Sequence, residues 1–154
     1  MIALIQRVRK ASVIVDDVTV GSIGRGLLIF LGIHSQDRLT EADWLARKCT
    51  SLRIFPDDAG QMNLSVRDVD ADILLVSQFT LYGNATKGHR PSFIEAARPE
   101  VAEPLYEYVK RKLSSELRRP IACGSFGASM QVSLVNDGPV TIWIERAPEK
   151  TRDS

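Results

Sequence analysis

Ser77 and Thr80 stand three residues apart where the apolar run Ile73 to Val76 ends, within Ser77-Gln78-Phe79-Thr80. A hydroxyl at a strand end can face solvent or a ligand, but as a nucleophile it needs a base to take its proton and a further group to orient that base. The sequence holds two histidines. His34 ends an apolar run and reads as a surface or hydrogen-bonded side chain. His89 lies between Lys87 and Arg90, with no carboxylate in its segment to orient it. A Ser-His-Asp mechanism is therefore poorly supported. Taken alone, Ser77-Gln78-Phe79-Thr80 reads first as an ordinary strand end whose hydroxyls bond locally. Metal chemistry has less in its favour. His34, Cys49, His89 and Cys123 show no ligand-pair spacing, and Asp57, Asp58, Asp68, Asp70 and Asp72 lack the EF-hand pattern.

Groups that could bind rather than react are more numerous. Lys87, His89 and Arg90 precede Pro91-Ser92-Phe93, and Arg98 follows; such a loop is either solvated or a holder of phosphates. Lys110-Arg111-Lys112 with Arg118-Arg119 reads as the solvated face of a helix. Asn136-Asp137-Gly138-Pro139 carries the Asp-Gly turn dipeptide and is expected to be a hairpin turn, with a cis Gly138-Pro139 bond as the alternative. Gly21-Ser22-Ile23-Gly24-Arg25-Gly26 offers glycines near a strand, but no helix follows, so a phosphate-cradling reading fails.

The elements that must position these residues follow from periodicity. Strands are expected over Ile2 to Val8, Ala11 to Val15, Val18 to Ile23 and Gly26 to Ile33, with Asp16-Asp17 and Gly24-Arg25-Gly26 as turns. Thr40-Glu41-Ala42-Asp43 has the form of a capping box, and Leu45, Cys49 and Leu52 follow at helical spacing, giving a first helix over about Thr40 to Leu52. A short strand, Arg53 to Phe55, meets the turn Pro56 to Gly60, and Ile73 to Val76 is a further strand. Tyr82 to Pro91 is aperiodic and reads as a loop. A second helix spans about Pro99 to Leu117, with Pro104 tolerable only in its first turn. Ile121 to Phe126, the alternation through Met130, Val132 and Leu134, and Val140 to Ile144 complete a mixed sheet. The expected fold class is α+β: a mixed, barrel-like sheet core with two main helices in a single domain. Residues 147–154 form a polar tail expected to fray.

With 154 residues, one domain is the leading count. Twenty Lys+Arg against 19 Asp+Glu, a formal +1, rule out a strongly basic nucleic-acid coat protein and an acidic disordered chain. Two cysteines without a C-x-x-C pattern, and no signal-like segment after Met1, lead to the expectation of a reducing, cytoplasmic setting. The longest apolar run, Gly26 to Ile33, is far below the ~20 residues of a membrane helix, so no membrane association is expected.

Taken together, these segments resemble the D-aminoacyl-tRNA deacylase family of chiral proofreading enzymes. The resemblance runs to about Arg146, making 1–146 the deacylase domain. It includes the start Met1 to Val8 with Ala11-Ser12-Val13, the Gly26-Leu27-Leu28 strand and Met62-Asn63-Leu64. Gly88 to Phe93 and Phe126 to Met130 also follow the family's pattern. Its specific motifs are Ser77-Gln78-Phe79-Thr80 and Asn136-Asp137-Gly138-Pro139-Val140-Thr141; Ser77-Gln78 separates the chain from the related animal-type deacylases. The departures are the tail and Cys123, where Thr is common.

The resemblance implies hydrolysis of the ester between a D-amino acid and the terminal adenosine of tRNA, with no metal and no organic cofactor. It implies a homodimer in which carbonyls of a cis Gly138-Pro139 from the neighbouring subunit clasp the substrate amine. Ser77, Gln78, Phe79 and Thr80 are then the catalytic segment. Gly138, Pro139, Asn136, Phe126 and Met130 bind substrate, and Lys87, His89, Arg90 and Arg98 contact tRNA. A noncatalytic tRNA- or single-stranded-DNA-binding module is the alternative, since a basic loop with Phe79 and Phe126 would suffice for it.

Overall fold

The computed structural model describes residues 1–150. A long β1 (Ile2–Val15) turns through Asp16-Asp17, both at positive φ, into β2 (Val18–Ile23), and β3 (Gly26–Gly32) follows. Helix α1 (Leu39–Ser51) leads through the small hairpin β4 (Phe55–Pro56) and β5 (Met62–Leu64) to β6 (Asp72–Ser77). A 3-10 turn (Phe79–Tyr82), α2 (Pro99–Leu117), β7 (Ala122–Cys123) and β8 (Gln131–Glu145) complete the chain.

The main sheet runs β2-β1-β3-β6-β7, with β8 antiparallel to β1. β3 pairs in parallel with β6, and β6 in parallel with β7, so α1 and α2 are the crossovers of two parallel connections. Both faces of the central strands are buried. Leu27, Ile29, Leu31, Ile73 and Leu75 face α1 and α2, whereas Leu28, Leu74 and Val76 face a second core with Val8, Ala11 and Val13. The sheet curls around that second core until β2 approaches β7; a Cβ on Gly21 would fall 2.5 Å from the Cys123 carbonyl oxygen. Only glycine allows this near-closure, and the result is the expected α+β, barrel-like architecture.

Several elements differ from expectation. Ile2 to Val8 and Ala11 to Val15 are one continuous strand, with a register shift between Val8 and Lys10 that brings Val8 and both Ala11 and Val13 to the same core. Asn136-Asp137-Gly138-Pro139 is no hairpin turn. β8 continues through it, pairing Gln6 with Thr141 and Val8 with Asn136, so the residues between bulge out of the ladder. The long antiparallel pairing to β1 on both sides overrides the local turn signal. Helix α1 starts one residue early, with Arg38 as N-cap and the Glu41 carboxylate accepting the Arg38 N–H at 2.8 Å. Pro104 lies in the second turn of α2, not the first; it is exposed, which leaves the carbonyl it cannot pair within reach of water. The expected tail lies partly outside the described residues; within them the Glu149 N–H donates to Glu41 Oε1 at 3.3 Å.

Candidate active site

Strands β3 and β6 end side by side, and α1 and α2 begin beyond those ends; in a parallel arrangement this carboxyl edge is where ligand crevices form. A cavity of about 460 Å³ opens there. Ser77, Gln78 and Phe79 supply one wall, Ala97, Pro99 and Ala102 at the start of α2 a second, and Phe126, Ala128 and Met130 a third. Ser77 is the last residue of β6, and the Gln78 N–H donates to the Leu31 carbonyl at 2.8 Å, fixing where the strand stops. Thr80 is exposed beside the cavity and accepts a hydrogen bond from Gln78 Nε2. Phe79 is 55% exposed and meets Phe93 edge-on at 5.2 Å between centroids.

No histidine, aspartate or glutamate lines this cavity. His34 instead packs edge-on against Tyr82 at 5.3 Å, and its Nδ1 accepts the Gln36 N–H at 3.0 Å, the hydrogen-bonded role read from sequence. Cys49 is core, its thiol pushed up to about 12 by burial. Among the described residues no cluster of His, Cys, Asp and Glu could hold a metal ion, and no helix is long and apolar enough to cross a membrane. The polar groups facing the cavity are therefore a hydroxyl, an amide and main-chain groups. Phe79 and Thr80 lie in the first turn of a 3-10 helix, where N–H groups have no partner within the helix.

Ser77, Gln78, Phe79, Phe126 and Met130 thus converge in one chain, and Asn136, Gly138 and Pro139 stand apart from them on the β8 bulge. The bulge is held from both sides. Asn136 Oδ1 accepts the Val140 N–H at 3.1 Å, and Asn136 Nδ2 donates to Thr141 Oγ1 at 2.9 Å. Gly138-Pro139 is cis, with Gly138 at φ 127°. Beneath it lies Arg7, only 9% exposed, which donates through Nε to the Asp137 carbonyl at 3.2 Å and through Nη1 to the Ile54 carbonyl at 2.7 Å. A Cβ on Gly138 would stand 3.0 Å from Arg7 Nη2. Sequence reasoning missed Arg7; the signal was a charged residue inside an otherwise apolar strand segment, which is buried only when partnered.

Lys87, His89 and Arg90 are exposed on a loop closed by paired hydrogen bonds between Asn84 and Ser92, both 2.8 Å, and none of the three lines the cavity. Arg98 is the N-cap of α2, between the cavity-lining Ala97 and Pro99, and its Nε is 4.0 Å from Glu100.

Comparison with known proteins bears on this geometry. The chain is 51% identical over 150 residues to a D-aminoacyl-tRNA deacylase of Salinibacter ruber, covering 97% of this chain and all of that protein. It is 55% identical over 152 residues to one of Geotalea uraniireducens, covering 99% and 97%. Among solved structures, a c-Myc DNA unwinding element binding protein superposes with TM-score 0.91 at 42% identity, covering 96% of this chain and 99% of that one. A probable eukaryotic D-amino acid tRNA deacylase shares the fold at TM-score 0.83 and 17% identity, covering 93% and 97%. The family model described as D-Tyr-tRNA(Tyr) deacylase matches residues 4–145, which takes in both the cavity and the β8 bulge, and the chain belongs to that family.

Proposed function

We propose that the protein hydrolyses the ester joining a D-amino acid to the terminal adenosine of tRNA, releasing free D-amino acid and tRNA. The observation that carries this reading is a cavity at the carboxyl edge of β3 and β6 that presents hydrogen-bond donors without a side-chain base. Water attack is then assisted by the substrate, through the ribose 2′-OH, and the N–H groups near Gln78, Phe79 and Thr80 hold the developing oxyanion. Phe79 and Phe126 offer ring surfaces to the adenine. Lys87, His89, Arg90 and Arg98 contact the phosphates of the 3′ end.

The site is completed in a homodimer by the bulge of a second copy, whose Gly138 and Pro139 carbonyls accept the substrate ammonium. Support comes from an apolar row across β8, β1 and β3. Trp143 pairs with Leu4, and Leu4 with Phe30, so the three share one sheet face, and Trp143 is 51% exposed. That face lies on the same strand as the bulge, and a second copy would cover it in a two-fold arrangement. Gripping the amine, the ester carbon and the ribose leaves one direction open at Cα. A D side chain leaves through it, whereas an L side chain meets the Gly138-Pro139 backbone, and glycine is accepted. The reaction belongs to the cytoplasm, where aminoacyl-tRNA is used.

The test follows release of amino acid from D-tyrosyl-, L-tyrosyl- and glycyl-tRNA. Hydrolysis of the D and glycyl esters is expected, and comparable hydrolysis of the L ester overturns the chiral mechanism. The second reading, a noncatalytic tRNA- or single-stranded-DNA-binding module, has the name of the 42%-identical structural neighbour in its favour and requires the D ester to stay intact.

A further inference from the structure

The two helices lie side by side, and the surface they turn to solvent combines cations with aromatic rings. On α1, Lys48 Nζ lies 5.6 Å from the centre of the Trp44 ring, and Arg146, from the end of β8, places its guanidinium 5.6 Å from the same ring. On α2, the Arg111 guanidinium lies 5.9 Å from the Tyr108 ring. The Tyr108 hydroxyl donates to Asp43 Oδ1 at 2.6 Å, and Lys112 Nζ stands 3.4 Å from the same carboxylate, so the two helices share one polar seam. Arg47 is exposed on this face and donates to the Asp43 carbonyl. Three of the cations are paired, Lys112 with Asp43, Lys110 with Glu107 and Arg146 with Glu149, and exposed Glu103 lies one turn before Glu107, whereas Arg47, Lys48 and Arg111 form no ion pair among the described residues. The face therefore carries an excess of positive charge on a chain whose formal charge is only +1.

The rings matter as much as the charge. A long cationic side chain laid over a ring keeps its charge exposed while losing part of its rotamer freedom in advance, which lowers the entropy cost of meeting an anion. Lys48 and Arg111 are exposed and lie over rings. The face also has a fixed relation to the cavity. Ala102 lines the cavity and Lys112 follows it on the same helix, about 15 Å along the axis at 1.5 Å per residue.

We propose that this outer face of α1 and α2 is a second docking surface for tRNA, taking the phosphate backbone of the double-helical acceptor arm behind the 3′ end that enters the cavity. The proposal rests on the reading of the cavity as the site for a tRNA ester. It assigns Lys48 and Arg111 to backbone contacts that position the substrate without reading its sequence.

The test uses the full chain with the double charge reversal Lys48→Glu and Arg111→Glu, neither residue lining the cavity. Binding of uncharged tRNA and of an acceptor-arm minihelix is followed by fluorescence anisotropy across a salt series. Hydrolysis is compared for D-tyrosyl-tRNA and for 3′-O-D-tyrosyl-adenosine, which has no arm. We expect tRNA and minihelix affinity to fall roughly tenfold or more, with the salt slope shallower by about 2, one for each phosphate that is no longer neutralised. KM for D-tyrosyl-tRNA rises, while kcat and cleavage of the adenosine ester stay at the level of the parent protein, which also reports that the variant is folded. Affinity within twofold of the parent with an unchanged salt slope overturns the proposal, and so does unchanged minihelix binding. If the parent protein cleaves neither ester, the reading of the cavity falls, and the anisotropy series still decides the surface.

Discussion

Taken residue by residue, the cavity holds hydroxyl and amide groups with no base to activate them. Ser77→Ala and Thr80→Ala should each cost far less than the ~10⁶-fold loss of a true nucleophile. Mass spectrometry during turnover should show no aminoacyl adduct on either residue, and a trapped adduct would reverse the assignment. Gly138 is the opposite case. At φ 127°, with Arg7 Nη2 and Val140 Cγ2 at 3.0 and 2.9 Å from where a methyl group would stand, Gly138→Ala must displace the bulge. Activity toward D-tyrosyl-tRNA should fall by orders of magnitude and the unfolding midpoint should drop with it, because the displaced segment includes Val140, a buried residue of the first core. Arg7→Met should do both. It strips the Asp137 and Ile54 carbonyls of a charged donor, and hydrogen bonds of that kind contribute about 1.5–3 kcal/mol each, so denaturant unfolding should show a clear loss of stability.

Among the elements, α1 and α2 are tied by the hydrogen bond from Tyr108 to Asp43, which holds the Asp43 carboxyl below its usual value of 3.8, with Lys112 acting in the same direction. A carboxylate with a depressed folded value binds fewer protons than in the unfolded chain. Its contribution is present above the unfolded value and is lost as pH falls through the folded one. Tyr108→Phe should therefore lower stability at neutral pH and flatten the acid side of the stability profile, read from urea midpoints between about pH 7 and pH 3. Pro104 supplies a second prediction for a helix. Pro104→Ala restores a main-chain donor in the second turn of α2 and should raise stability by up to about 3 kcal/mol, measured in the same way. The helices and most strands were legible from periodicity alone. The continuity of β1 and β8 was not, since bulges at Val8–Lys10 and at Asp137–Val140 interrupt the alternation by which a strand is recognised.

For the molecule as a whole, light scattering should report a particle of twice the 17.1 kDa chain mass, and full activity from a monomer would remove the role given to the second copy's bulge. Fold class, the edge at which β6 stops, and the family motifs at Ser77–Thr80 and Asn136–Thr141 could all be read from the residues in order, because they depend on local pattern and residue identity. The placing of the two histidines likewise left a side-chain triad poorly supported. Folding in three dimensions was needed to show that Phe126 and Met130 close the cavity against Ser77 and Phe79 while Gly138 and Pro139 stand outside it. It was needed equally to set Arg7 beneath the bulge and, through Tyr108 and Lys112 on Asp43 and Arg146 over Trp44, to join α1, α2 and the end of β8 into one face. The physical reason is the same in each case: these contacts join residues dozens of positions apart, brought together by burial of the two cores, and no local propensity records such a distance.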